Sequence, residues 1–403
     1  MLLPKLLLAF FFWQEDPQAE GIKALEKQQY LPAADLFRKA VAQAPKDYAT
    51  HFHLALALSL LNQDAEAISE YKKVLELQPG VYEAQLNLGI LLLRQKQPAE
   101  AAAQLKVAAE KKPKEFRPNY FLAEALFAAG DAAAGAAFKN ALEIDGQSAG
   151  AHSGLGRSLA RAGQLQEAAV HYHKASELDP SYQDLLLELA DYFEKAKQPD
   201  EAIAIYKKFP QLPGVAERMG NLQLSKGAPE EAIAALEAAM KLSPTSANQY
   251  ALATAYIRSK QNEKAVPLLA AAVNAEPGNW DLMMALGRLL RDMKQFPNAA
   301  NVFSRAAQVQ PQKKESWSEL GGMLFVLKEY PKALMAFDKL IELGDPSTGA
   351  LYFRAITLDH MHDYKLSLPA YEKFLSVSQN KSPDEEFKAR QRIIVIKKEL
   401  AKR

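Results

Sequence analysis

Residues 280–311 read WDLMMALGRLLRDMKQFPNAANVFSRAAQVQP, and the fold of the chain can be deduced from this stretch. Ala299, Phe303 and Ala306 follow one another at intervals of four and three residues. This spacing places a small, a bulky and a second small side chain on one stripe of an α-helix. Gly287 lies twelve residues before Ala299, on a preceding helix, where its lack of a side chain lets two helices approach closely. The stretch therefore predicts two antiparallel helices joined by a short turn.

The same pattern recurs at a nearly constant interval along the chain. The small residue that corresponds to Ala299 recurs at Ala33, Ala67, Ala101, Ala134, Ala168, Ala202, Ala232, Ala265 and Ala333, and Ser367 continues the series. A bulky residue follows four positions later, at Phe37, Tyr71, Leu105, Phe138, Tyr172, Tyr206, Leu236, Leu269, Phe337 and Tyr371. Each hairpin is too small for a core of its own and must bury its remaining apolar face against its neighbours. The pattern therefore predicts a solenoid.

The repeat resembles the tetratricopeptide repeat, a helix–turn–helix unit of about 34 residues with this order of Leu, Gly/Ala, Ala, Phe/Tyr, Ala and Pro. The resemblance covers residues 14–380, in ten or eleven units. It implies an all-α fold, a right-handed superhelical solenoid in which the first helix of each hairpin lines a concave groove. It also implies a non-catalytic scaffold that binds extended peptides or helical segments of other proteins in that groove.

Two stretches depart from the regular repeat. The step between Ala202 and Ala232 is shorter than the others, and the Pro and Gly residues of 209–214 predict an irregular joint, either a hinge between two half-solenoids or a local kink. Residues 381–403 are predicted to form a C-terminal capping helix, with acids directly after Pro383 and bases at the end, as the helix dipole favours. The apolar residues of this helix that we expect to face the last hairpin are Phe387, Ile393, Ile394 and Ile396.

The N-terminal residues 1–13 read MLLPKLLLAFFFW, with Lys5 ahead of an unbroken apolar run. The run is too short to span a membrane, which takes about 20 apolar residues. A short apolar core behind a basic residue is typical of a secretory signal, although Phe12, Trp13 and Gln14 do not form a small-residue cleavage site. We expect export, for example to a periplasm, and membrane contact only if the segment is uncleaved. The alternatives are an arm packed on the first helices and a cytoplasmic location.

Composition and motifs argue against most other classes of protein. The chain has 49 Lys+Arg and 48 Asp+Glu, a formal net charge of +1, so it has no basic excess for binding nucleic acid. It has no cysteine, which excludes disulfides, Cys-ligated zinc and a thiol nucleophile. Phosphate-loop, dinucleotide-binding and zinc-protease motifs are missing, and the H-x-H pairs fall in distant repeats. We therefore expect no metal, no cofactor and no enzymatic activity.

The repeat register identifies the first-helix positions that would line the groove. The partner-binding candidates are Phe52, Tyr120, Arg157, Arg161, Asn221, Tyr250, Arg258, Arg288 and Arg291. Further groove positions include Leu56, Leu86, Ile90, Glu124, Asp191, Phe325 and Tyr352.

Arginine is frequent among these candidates although the chain is almost neutral. An acidic peptide or a chain terminus is therefore the ligand that we would test first, because the guanidinium fork matches a carboxylate. The alternative is that the arginines pair internally, with Asp191, Glu194, Glu217 and Asp292. The alternative functions are a membrane-tethered assembly or secretion accessory factor and a regulatory subunit of an enzyme complex.

Overall fold

The structure is a computed structural model that describes residues 16–344 and 347–402. Within these residues all regular structure is helical, with 23 α-helices, one short 3₁₀ helix and no strand. The N-terminal segment 1–13 lies outside the described residues. None of the helices in the described ranges is both long and apolar enough to cross a membrane. The chain divides into two units, Met1–Ala202 and Ile203–Arg403.

The described part of the first unit contains five helical hairpins followed by α11. Its helices are α1 (Pro17–Glu26), α2 (Tyr30–Gln43), α3 (Tyr48–Leu60), α4 (Asp64–Leu77), α5 (Tyr82–Arg94), α6 (Pro98–Lys111), α7 (Phe116–Ala128), α8 (Ala134–Ile144), α9 (Ala149–Arg161), α10 (Leu165–Leu178) and α11 (Asp184–Lys195). Helices α1 and α2 pack as a hairpin, and so do the following pairs up to α9 and α10. The second helix of each hairpin also packs against the next first helix, which makes the hairpins a continuous stack.

The second unit repeats this arrangement. Helix α12 (Pro199–Tyr206) crosses the boundary between the units, and it is followed by α13 (Pro213–Ser225), α14 (Pro229–Leu242), α15 (Ser246–Arg258), α16 (Asn262–Ala275), α17 (Trp280–Asp292), α18 (Phe296–Val309), α19 (Lys314–Val326), α20 (Tyr330–Glu342), α21 (Thr348–His360), α22 (Tyr364–Ser378) and α23 (Pro383–Ala401). Its described residues form five hairpins, from α13/α14 to α21/α22, and α23 packs on α22. Helix α12 has only eight residues, and the predicted joint at 209–214 runs from the turn that follows it into the first two residues of α13.

The helices of a hairpin meet where a small residue faces a bulky one. In α17/α18 a β-carbon on Gly287 would lie 2.4 Å from Cε1 of the buried Phe303, which is far closer than van der Waals contact. The same holds for Gly89, whose β-carbon would lie 2.4 Å from Cγ of Leu105. Ala299, on the stripe that faces the first helix, is completely buried. The all-α fold of repeated hairpins that the sequence predicts is confirmed.

The last helix, α23, uses only one face to pack on its neighbour. Ala389 and Ile396 are completely buried, and Ile393 contacts the same apolar cluster. Phe387 and Ile394 are 64% and 51% exposed, so the expectation that they face the last hairpin is wrong. The reason is the helical period, because 389, 393 and 396 share one stripe while 387 and 394 share another.

We predict that enlarging the buried alanine stripe destabilises the stack. Ala168→Leu and Ala299→Leu replace alanines with no exposed surface, so each should lower the free energy of unfolding by about 1–3 kcal/mol through overpacking. Replacing the exposed turn residue Gln164 with Ala should cost less than about 0.5 kcal/mol. Thermal and urea unfolding followed by circular dichroism would measure the difference. Equal midpoints for the alanine and glutamine variants would contradict the repeat register.

Candidate protein-binding site

The first helices of the first unit form one row. Helix α5 contacts α7, α7 contacts α9, and α9 contacts α11. The row continues on α3, because Phe52 of α3 packs on the same buried cluster as Ile90 of α5. We call the side of this row that faces away from the second helices the first-helix face.

The first-helix face is apolar along α3, α5 and α7. Its partly exposed apolar residues, here called the apolar stretch, are Phe52, Leu56, Ile90, Leu93, Tyr120 and Phe121. The predicted position Leu86 is buried beneath them. Between α5 and α7 the surface forms an open pocket of about 460 Å³, lined by Ile90, Leu93, Arg94, Tyr120, Phe121, Glu124 and Ala128. The apolar stretch therefore combines accessible apolar surface with a recess for a ligand side chain.

A charged cluster adjoins the apolar stretch on α7, α9 and α11. Arg157 donates from Nε to Oε2 of Glu188 at 3.3 Å, and the Tyr172 hydroxyl donates to Oε1 of the same carboxylate at 3.2 Å. Burial raises the pKa of Glu124, against the effects of its hydrogen bond with Tyr120 and of the charge of Arg157, which lower it. One guanidinium thus lies near two carboxyl groups, and the cluster gives this part of the face no basic excess.

Two further arginine candidates bind backbone carbonyls of the preceding first helix. Arg161 donates to the carbonyl oxygen of Phe127 at 3.2 Å, and its guanidinium lies 3.7 Å from the centre of the Phe127 ring. In the second unit, Arg258 donates to the carbonyl oxygen of Leu224 at 2.7 Å. Both acceptors are in the last turn of a helix, where the dipole favours a cation. These arginines link neighbouring hairpins.

Arg288 and Arg291 of α17 also have acidic neighbours within the second unit. Both lie near Glu319 of α19, at 3.5 Å and 2.6 Å respectively. Arg291 additionally pairs with Asp292 at 3.0 Å, which is one of the internal pairs that the sequence suggested. The main partner, Glu319, was missed because it belongs to the next hairpin along the chain, and only the packing of the hairpins brings it close. All five arginine candidates therefore have internal partners.

Apart from Asp191 of α11, the remaining candidates lie in the second unit. They are not gathered into one pocket by any contact that we observe among its described residues. Asn221 of α13 and Tyr250 of α15 are exposed. Phe325 stacks edge-on against Phe353 with ring centres 5.6 Å apart. Tyr352 contacts Phe374 with ring centres 5.1 Å apart. Phe325 thus contributes to packing between the last two hairpins, and Tyr352 to packing within the hairpin α21/α22.

Histidines at the fourth residue of a first helix have a structural role that the sequence did not reveal. Nε2 of His51 lies 3.1 Å from the carbonyl oxygen of Pro45, and Nε2 of His152 lies 3.2 Å from that of Gly146. Trp317 makes the equivalent bond to Pro311 at 2.9 Å. A ring N–H at this position thus donates a hydrogen bond to the turn that precedes the first helix of the hairpin and stabilises that turn. Among the described residues, no group of three or more His, Cys, Asp or Glu side chains is arranged to hold a metal ion.

Comparison with known proteins identifies the same repeat. Two family models described as "Tetratricopeptide repeat" match, one at residues 19–82, 62–116, 86–151 and 284–348 and the other at 159–212 and 223–286. No curated protein matches the chain.

Solved structures of repeat proteins match in part. MamA, residues 41 to the end, from Desulfovibrio magneticus RS-1 is 23% identical with a TM-score of 0.39, and the match covers 41% of this chain and 94% of that one. The C-terminal part of a TPR repeat-containing protein from Cytophaga hutchinsonii is 22% identical with a TM-score of 0.45, over 53% of this chain and 88% of that one.

The pair His152 and His171 predicts a loss of stability at acidic pH. Their Nδ1 atoms are 2.9 Å apart, and burial, with the nearby His152 and Lys139, lowers the pKa of His171. The pKa of His171 in the folded state lies below its unfolded value of about 6.5, so the unfolded chain binds the proton more readily. The free energy of unfolding is therefore undiminished by this site above about pH 6.5, and it decreases as the pH falls below that value.

His171→Asn, which keeps a donor but does not titrate, should therefore reduce the fall in melting temperature between pH 7.5 and pH 5. His173→Asn, two residues along the same helix, is the control. Identical pH profiles for wild type and His171→Asn would show that this histidine pair does not set the acid sensitivity.

Proposed function

The chain belongs to the tetratricopeptide repeat family, and we propose that it is a non-catalytic scaffold whose first-helix face binds an extended or helical segment of a partner protein. The observation that carries the proposal is the apolar stretch. Four of its residues, Phe52, Ile90, Leu93 and Phe121, pack on the buried core of the hairpins. All six remain partly exposed along three neighbouring first helices. A partner's apolar side chains would displace water from this surface, which is favourable in proportion to the apolar area buried.

The chemistry of this surface favours an apolar segment over an acidic peptide. Arg157 is engaged by Glu188, and Arg161 is engaged by Phe127. An incoming carboxylate would have to compete with these partners and would also meet Glu124. We therefore propose that the partner's apolar side chains enter the pocket between α5 and α7, while the adjoining charged cluster limits which polar groups can lie beside it.

A peptide library tests this proposal without knowledge of the natural partner. Displayed random peptides, each long enough to form several helical turns, should be enriched in apolar residues after selection on the purified chain. Ile90→Asn combined with Leu93→Asn should weaken the selected peptides at least tenfold, because both side chains line the pocket. The matched control is Val170→Asn, which removes a 66% exposed apolar side chain on the second helix α10. Circular dichroism melts would establish that the variants are folded.

Two results would contradict the proposal. One is selection of acidic peptides whose binding depends on salt and is lost on reversing the charges of Arg157 and Arg161, which would restore the acidic-ligand hypothesis. The other is the absence of any selected peptide together with stabilisation by a small metabolite, which would favour a regulatory or enzymatic role.

We further propose that residues 1–13 direct export of the chain. The proposal rests on the basic residue and apolar run of this segment. Fractionation of expressing cells, followed by N-terminal sequencing of the recovered chain, should find a processed N-terminus outside the cytoplasmic fraction. An intact N-terminus in the membrane fraction would instead favour a tethered assembly or secretion factor. An intact N-terminus in the cytoplasmic fraction would contradict both.

A further inference from the structure

The outer face of α23 carries apolar side chains that a capping helix does not need. Phe387, Ile394 and Val395 are 64%, 51% and 41% exposed. Among the described residues, α23 packs on α22 and no further hairpin covers its outer face. The last hairpin, α21/α22, already buries the opposite side of the helix, at Ala389 and Ile396. The outer apolar side chains are therefore available to a molecule other than the last hairpin.

The outer charges on the same helix differ between its two ends. Of the basic residues between them, Lys388, Arg390 and Arg392, Arg390 pairs with Glu386 and Arg392 with Asp359 of the same chain. Asp384 and Glu385 lie in the first turn, and Lys397 and Lys398 lie near the last turn. A parallel partner helix would place like charges together. An antiparallel copy places the acidic end of one helix beside the basic end of the other. The two helix dipoles are then antiparallel, which is the favourable arrangement. The charges at the two ends thus match a second copy of this helix in the reverse direction.

The apolar and charged positions share a single centre of symmetry. The midpoint between Phe387 and Ile394 is position 390.5, and the midpoint between Asp384 and Lys398 is position 391. Half a residue corresponds to less than about 1 Å along a helix. A two-fold axis beside Gln391 therefore places each Phe387 against Ile394 of the second copy, and it places each Asp384 beside Lys398 of the second copy. Such self-complementarity is the requirement for a closed two-fold interface.

We propose that the chain forms an antiparallel homodimer through the outer face of α23. The helix has 19 residues, which makes it about 28 Å long, and one helix pair buries less than the roughly 800 Å² per partner of a standard interface. The dimer is therefore weak, with a dissociation constant in roughly the micromolar range. The proposal uses only residues of α23 and does not depend on the function proposed for the first-helix face.

Sedimentation velocity of the full chain over a concentration series tests the dimer. The wild type should shift towards twice the chain mass as concentration rises. Asp384→Lys or Lys398→Glu alone should weaken association at least tenfold, because each places like charges together. The double variant Asp384→Lys/Lys398→Glu exchanges the two charges in both copies and should restore association. This rescue is specific to the antiparallel pairing and cannot arise from loss of folding.

Phe387→Ser should also abolish the dimer, whereas Met335→Ser, at a 71% exposed position on α20, should leave it unchanged. A wild type that stays monomeric at the highest concentration would overturn the proposal. The proposal would also be overturned if Phe387→Ser left association unchanged, or if the double charge exchange failed to restore it. Cosedimentation of a monomeric wild type with anionic lipid vesicles, lost in Phe387→Ser, would assign the stripe to a membrane surface instead.

Discussion

The structure depends on one steric constraint, the close approach of a small residue on the first helix of a hairpin to a bulky residue on the second. At Gly287 and Phe303 there is no room for even a β-carbon, so the distance between the two helices is fixed by backbone against ring. This contact uses only one stripe of each helix. The remaining apolar stripes have no partner within the hairpin and must be buried by the hairpins before and after it, which is why the units stack. The row of first helices that could hold a ligand is a consequence of that stacking.

Polar residues of the repeats also connect the stacked hairpins. Arg161 and Arg258 each reach a carbonyl 34 residues earlier, and Arg291 reaches Glu319, 28 residues later. Contacts at about one repeat length bind neighbouring hairpins together, and the favourable dipole at a helix C-terminus adds to them. These arginines of the first helices are therefore engaged within the molecule. A near-zero net charge with many arginines on first helices is what such internal pairing produces.

Sequence reasoning could predict the fold because it follows from small and bulky residues at fixed offsets, which the alanine and aromatic series display directly. It could also place Phe52, Ile90 and Tyr120 on first helices, because the register fixes the face of the helix. It could not predict the partner of Arg157, since Glu188 belongs to the next first helix, α11, and the pairing depends on side-chain direction after packing. Nor did it separate Phe387 from Ile393 on α23, because an unrepeated helix has no register to indicate which stripe meets its neighbour.

The two exposed apolar surfaces differ in symmetry, and this difference bears on what each can bind. The apolar stretch of the first-helix face is flanked at one end by Glu124, Arg157 and Glu188. Its two ends therefore differ, which suits a partner segment whose own two ends differ. The stripe on α23 is self-complementary about Gln391, because a copy in the reverse direction places Phe387 against Ile394 and Asp384 beside Lys398, so it suits an identical helix. Because the two surfaces share no residue, dimerisation through α23 would give one assembly two first-helix faces. Two weak sites joined in one assembly can bind a partner with two copies of a motif more tightly than either site alone, if the geometry lets both engage.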